Sequence, residues 1–145
     1  MIDVAKFATK QSANHNEGDD LMSTKILVLP GDGIGPEITA ATVQVLQHLN
    51  EEMQLDLDID EHEIGLSCHA KHGTTLRDET MAAAKAADGV ILAPADTYQY
   101  PPAEQGGINP SAAIRRELDL YANIRPARVF AGVPAMGKDM DLVIV

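Results

Sequence analysis

The chain has 145 residues, 45% hydrophobic but only 3% aromatic, with no Trp and a formal net charge of −11. That length fits one domain of ordinary size, with a core built from Ile, Leu, Val, Ala and Met. The acidity argues against nucleic acid and anionic membranes as partners, and no apolar run approaches the roughly 18 residues that span a bilayer.

In chain order, residues 1–22 are polar and aperiodic around Gln11–Asp20 and read as a disordered extension, with Met22 as a second candidate start. Ile26 to Leu29 is a continuous apolar run suited to a strand buried on both faces. Pro36 opens a helix at a position where its missing N–H costs nothing. Ile38, Ala41, Val45, Leu46 and Leu49 carry that helix to about Glu52 at helical spacing. Leu55 to Asp60 alternates as a half-exposed strand does. Leu76 to Ala87 reads as a helix, with Asp78 and Glu79 near its positive end. Gly89 to Ala93 is a second buried strand. Thr97 to Pro110 is a proline- and glycine-rich loop. Ser111 to Leu118 is a short helix, Asn123 to Phe130 is extended, and Asp141 to Val145 begins one more strand. Strands alternating with helices predict an α/β fold, a mostly parallel sheet with flanking helices.

Two segments carry the chemistry. Gly31-Asp32-Gly33-Ile34-Gly35 joins a strand to a helix and aims backbone N–H groups where an anion could sit. It is neither the G-x-G-x-x-G fingerprint nor a Walker loop. Taken alone, its simpler reading is a tight turn; its functional reading is close ligand approach to the backbone. Arg115 and Arg125 lie ten residues apart, each beside apolar neighbours. Such an Arg needs a partner, and a substrate carboxylate is one candidate beside ordinary surface exposure. Arg116 and Arg128 read as solvated. Cys68, His69 and His72 lack a further ligand, so a structural role outweighs a metal site. Tyr98 and Tyr100 either line a cleft or pack. The single Cys68 forms no intrachain disulfide, and the expected location is cytoplasmic.

The run Gly31 to Glu37, together with Arg115-Arg116-Glu117-Leu118-Asp119-Leu120-Tyr121-Ala122-Asn123-Ile124-Arg125-Pro126-Ala127, resembles the isocitrate/isopropylmalate dehydrogenase family of β-decarboxylating dehydrogenases, from about Lys25 to Val145. The resemblance implies an isopropylmalate-dehydrogenase-like fold, of which residues 23–145 form an incomplete N-terminal portion. It implies oxidation of a malate-type 2-hydroxy acid, hydride transfer to NAD or NADP, loss of CO2, and a Mg or Mn ion that polarises the reacting oxygens. Arg115 and Arg125 match the family's carboxylate-clamping arginines. Ile34, flanked by Gly33 and Gly35, matches a position near the nicotinamide. The helix of Ser111 supplies the residues that choose the substrate's variable group.

Isocitrate enzymes typically place Ser and Asn six and four residues before the first arginine, where this chain has Asn109 and Ser111. Isopropylmalate enzymes line that wall with Leu, where this chain has Ser111 and Ala112. A polar or small substituent on a hydroxy-dicarboxylate or tricarboxylate is therefore expected in place of isopropyl. The family's third arginine, its catalytic tyrosine and lysine, and its metal-binding aspartates are expected after Val145, so no catalytic or metal-ligating residue is assigned within these residues. The chain as given is expected to be inactive, with buried strands turned to solvent and a tendency to aggregate. The family implies a homodimer. A second reading is a non-catalytic truncated fragment or remnant that binds a dicarboxylate or a partner chain; a third is a stand-alone anion-binding module.

Overall fold

The structure, a computed structural model, describes residues 3–4, 23–137 and 140–145. The elements run β1 (Asp3–Val4), β2 (Thr24–Leu29), α1 (Gly35–Met53), β3 (Leu57–Glu61), α2 (Gly65–His72), α3 (Asp78–Ala86), β4 (Gly89–Leu92), a 3₁₀ turn (Ala103–Gln105), α4 (Pro110–Glu117), β5 (Arg125–Arg128) and β6 (Asp141–Ile144). Apart from Asp3–Val4, the extension expected over 1–22 lies outside the described residues.

β2 is central, and its second half is the most deeply buried stretch of the sheet. It pairs in parallel with β3, with Ile26 opposite Ile59, and with β4, with Leu27 opposite Val90. β1 adds an antiparallel edge on β4, giving the order β1-β4-β2-β3. Leu27, Val28 and Leu29 are all buried. Successive strand residues point to opposite faces, so both faces of β2 are covered at this end. Thr24 and Lys25 are exposed, so burial on both faces is confined to the half that leads into the glycine turn.

One face holds the main core. Leu27, Leu29 and Val90 pack with Ile64, Leu76, Ala84, Ala87, Ala113 and Ile114. Val28 is buried on the other face, where the right-handed crossover from β2 to β3 requires α1. The apolar stripe expected on α1 does not all face inward. Gly35 and Thr39 are the buried residues of this helix, while Ala41, Val45 and Leu49 are exposed. The small Gly35 and Thr39 set the face that meets the sheet, and of the expected stripe only Ile38 and Leu46 stay half-buried beside it.

Local chemistry sets the element ends. α1 stops at Gln54 in a left-handed conformation. The Leu57 N–H donates to Asn50 Oδ1 at 2.9 Å, which fastens the end of α1 to the start of β3. Gln54 and Asp56 both have positive φ, so β3 begins at Leu57, two residues later than the alternation predicts. α2 was not legible in the sequence, being eight residues with no apolar period. α3 begins at Asp78, because Leu76 drops into the core and Arg77 is extended. The Asp88 carboxylate accepts from Lys25 N–H at 3.0 Å, setting β4 against β2.

β5 and β6 form a separate antiparallel ribbon, with Pro126 opposite Val143. The main sheet is thus parallel in its β3-β2-β4 core and antiparallel at its β1 edge, while the separate ribbon is antiparallel. Every residue of β6 is exposed. No helix among the described residues is long and apolar enough to cross a membrane.

Candidate functional site

The strand order places the switch point of the sheet between β2 and β4. From β2 the chain steps to β3 on one side, then returns past β2 to β4 on the other. In open α/β sheets the crevice beyond such a pair of strands is where ligands bind. Here it is bounded by the glycine turn after β2 and by residues 93–100 after β4.

The turn is built by close approach. A Cβ on Gly31 would collide with the Pro94 carbonyl oxygen, and one on Gly35 with that of Pro30. Gly35 is buried, and its N–H donates to the Asp32 carbonyl at 2.8 Å. The N–H of Asp32 donates to Pro94 O, also at 2.8 Å. These two N–H groups are therefore used inside the fold and are not offered to an anion. Gly33 has open space around it, and Ile34, just ahead of α1, is 60% exposed. The outer part of the turn, Gly33 and Ile34, is what a ligand could reach.

Asp32 is the residue that sequence reasoning passed over. Its side chain is buried and accepts three hydrogen bonds: from Leu66 N–H at 2.7 Å, Asp96 N–H at 3.0 Å and Tyr100 O–H at 2.6 Å. The Leu66 N–H belongs to the first turn of α2, where a carboxylate also meets the positive end of the helix dipole. Burial, and then the neighbouring Asp32 carboxylate, push the Tyr100 hydroxyl far above the ordinary tyrosine range. Of the two tyrosines weighed for a cleft, Tyr98 is fully exposed and Tyr100 is this partner. A charged residue between two glycines was the available signal, because such a residue needs donors from elsewhere in the chain.

The loop leading to α4 is anchored by Thr75. Its hydroxyl donates to Ile108 O at 2.6 Å and accepts from Ile108 N–H at 2.7 Å. Asn109 then caps α4, its Oδ1 accepting from Ala112 N–H at 3.1 Å. Pro110, Ala113 and Ile114 are the buried side of α4. Ser111 and Arg115, four residues apart on one helical face, are both half-buried. Arg125 lies on a different element, at the start of β5, exposed, with Nε donating to Asn123 Oδ1 at 3.2 Å. Arg128, read as solvated, faces Asp141 at 3.6 Å and lies over the Phe130 ring at 5.9 Å.

A groove of about 450 Å³ lies between α3 and α4 and is lined by Leu76, Met81, Ile108, Lys85 and Arg116 among others. Ser111, Arg115, Arg125 and the glycine turn do not line it. Lys85 is paired with Glu117 at 3.2 Å, so much of its charge is already answered. Cys68 is buried, and its thiol is pushed up by burial. His69 Nε2 lies 2.8 Å from the Gln105 carbonyl, which makes this nitrogen the donor. Among the described residues no group of three or more His, Cys, Asp or Glu could hold a metal ion.

The family model for isocitrate/isopropylmalate dehydrogenase matches residues 25–145. The chain is similar to the 3-isopropylmalate dehydrogenase of Hydrogenovibrio crunogenus, 35% identical over 134 residues, covering 86% of this chain and 37% of that protein. It is 40% identical over 134 residues to the 3-isopropylmalate dehydrogenase of Xanthomonas oryzae pv. oryzae, with the same coverage. Among solved structures, the isocitrate dehydrogenase of Methylococcus capsulatus superposes with a TM-score of 0.68 at 32% identity, covering 83% of this chain and 33% of that one. The chain thus spans little more than a third of the length of the relatives it matches.

Proposed function

The chain belongs to the isocitrate/isopropylmalate dehydrogenase family, and from that premise we propose that it serves the NAD(P)-dependent oxidative decarboxylation of a malate-type 2-hydroxy acid. The observation that carries this reading is the segment from Arg115 to Arg125, which lies inside the family match together with a glycine turn at the sheet's switch point. Arg115 and Arg125 hold substrate carboxylates by charge-assisted hydrogen bonds. Ser111 shares the helical face of Arg115 and meets the substituent that distinguishes one malate from another. Asn109 spends its Oδ1 on the helix cap, so its amide N–H2 is the part that reaches the substrate.

The turn fits a dinucleotide at Gly33 and Ile34, where the backbone is open and an exposed apolar side chain offers a flat contact. Gly35 serves that site indirectly, by holding the turn closed. A dinucleotide held there would supply the hydride acceptor for oxidation of the substrate's hydroxyl-bearing carbon. The described residues do not fit the Mg or Mn ion, because they form no suitable ligand cluster. The 145-residue polypeptide by itself is therefore proposed to bind substrate and cofactor without turnover. The wholly exposed β6 favours, as a second reading, a role completed by a partner chain, in which the homodimer of the family is one arrangement.

The experiment is a titration of the purified chain with malate, isocitrate and 3-isopropylmalate, read by amide NMR at Ser111 and Arg115. Malate or isocitrate is expected to shift these signals at lower concentration than 3-isopropylmalate. Preference for 3-isopropylmalate would overturn the substituent reading, and no shift with any acid would overturn the substrate site. Metal-dependent reduction of NAD or NADP by this chain alone would overturn the proposed lack of turnover.

A further inference from the structure

Asp32 and Tyr100 are 68 residues apart and meet outside the hydrophobic cluster. The carboxylate takes donors from the start of α2 and from the segment after β4, while the backbone of the same residue bonds Pro94. A single side chain thus joins three loops at the end of the sheet where the switch point opens. Beside it, Gly33 and Ile34 have few constraints of their own: space is open around the first, and the second projects into solvent. Their placement is inherited from Asp32 on one side and Gly35 on the other.

We infer that Asp32 and Tyr100 are a positioning pair, which locks the glycine turn to residues 94–100 so that the two present one preset surface to the dinucleotide. Neither side chain has to touch the ligand. The inference rests on the reading that Gly33 and Ile34 face a dinucleotide, and it extends that reading to what holds them in place. A turn free to sample several arrangements binds more weakly by the fraction of time it spends in the competent one. Tyr100 is suited to the task because its ring fixes where the hydroxyl sits, and a buried hydrogen bond to a carboxylate is among the stronger neutral-to-charged kind.

The test compares wild type, Tyr100→Phe and Asp32→Asn as full 145-residue chains. Tyr100→Phe keeps the ring and removes only the donor, so it is the variant expected to melt cooperatively even if Asp32→Asn does not. Amide NMR follows Gly33, Ile34, Leu66 and Asp96, hydrogen exchange follows Asp96 N–H, and NADH and NADPH are titrated separately. In Tyr100→Phe the Gly33 and Ile34 signals are expected to move together with Asp96. The Asp96 N–H is expected to exchange about tenfold faster. The dinucleotide bound by wild type is expected to bind roughly three- to tenfold more weakly. Unmoved Gly33 and Ile34 signals would overturn the inference even if binding weakened, since Tyr100 would then be contacting the ligand itself. Moved signals with unchanged binding would overturn it too. A wild type that binds neither dinucleotide would sink the cofactor reading, and with it the positioning role; a lock shown by the amides alone would then be structural only.

Discussion

Gly65 stands directly against the Asp32 carboxylate: a Cβ added there would collide with both carboxylate oxygens. Two positions 33 residues apart in the chain therefore constrain each other. Gly65 also has a φ of +81°, a left-handed conformation that favours glycine. Gly65→Ala is expected to cost about 2–4 kcal/mol, from strain and from displacement of a buried, hydrogen-bonded carboxylate. Gly33→Ala is the control, since nothing stands near its Cβ, and it is expected to cost only about 1 kcal/mol. Urea melts of the two variants make the comparison; equal losses would show that Asp32 does not press on residue 65.

Tyr100 predicts a pH dependence whose sign follows from its partner. Its hydroxyl is raised above the ordinary value of 10, first by burial and then by the hydrogen bond to Asp32. The unfolded chain releases this proton near pH 10 while the folded chain retains it. The stabilisation is therefore fully present below pH 10 and is lost as the pH rises above it. Tyr100→Phe is expected to cost about 1–2 kcal/mol at pH 7 and to flatten the loss of stability between pH 10 and 11. Melts at a series of pH values test this; parallel curves for the two proteins would refute it.

Cys68 is fully buried, and burial raises its thiol above the ordinary value of 9.0. A disulfide reagent at pH 8 is expected to label the folded chain about a hundredfold more slowly than the urea-unfolded chain. Because the folded state favours the neutral thiol, this residue also contributes stability below pH 9 that is lost above it. Rapid labelling under native conditions would show that α2 opens readily.

Asn109 separates a helix-capping role from a substrate role. Removing the cap with Asn109→Ala is expected to cost about 1 kcal/mol, whereas Asn109→Asp keeps the acceptor and most of the stability. The same Asn109→Asp places a negative charge where a polyanionic substrate is proposed to sit. It should weaken acid binding while preserving the melt. An Asn109→Asp chain that binds isocitrate or malate as wild type does would leave Asn109 as a cap alone.

Much of the fold was legible because particular residues act locally. Pro36 after a glycine turn marked the start of α1, and Ile26 to Leu29 marked the central strand, since continuous apolar runs of that length have few other uses. The boundary of β3 was missed because Gln54 and Asp56 take positive φ, which side chains with no glycine among them do not announce. α2 was missed because its stability comes from contacts distant in sequence, such as the Asp32 carboxylate on the Leu66 N–H. The site divides the same way. Arg115 and Ser111 could be placed on one face by counting residues along a helix. Asp32 and Tyr100 could not be paired, because nothing in the chain between positions 32 and 100 encodes their meeting except the completed sheet.

The ribbon supplies the last prediction. Leu142, Val143 and Ile144 are all exposed on β6, and Phe130, Val133 and Met136 are exposed in the connection from β5. A two-stranded ribbon with open edges and an apolar sequence is a template for pairing with another chain. Nothing in the main core depends on Val143, since no β6 residue belongs to that cluster. Val143→Lys should therefore leave the melting temperature almost unchanged, within roughly 0.5 kcal/mol, as surface substitutions generally do. It should also slow concentration-dependent light scattering markedly, because an edge charge opposes strand addition. If Val143→Lys instead unfolds the chain, β6 is packed in solution against a surface of its own molecule. If scattering is unchanged, aggregation begins elsewhere, and the exposed Val45 and Leu49 of α1 become the surface to alter next.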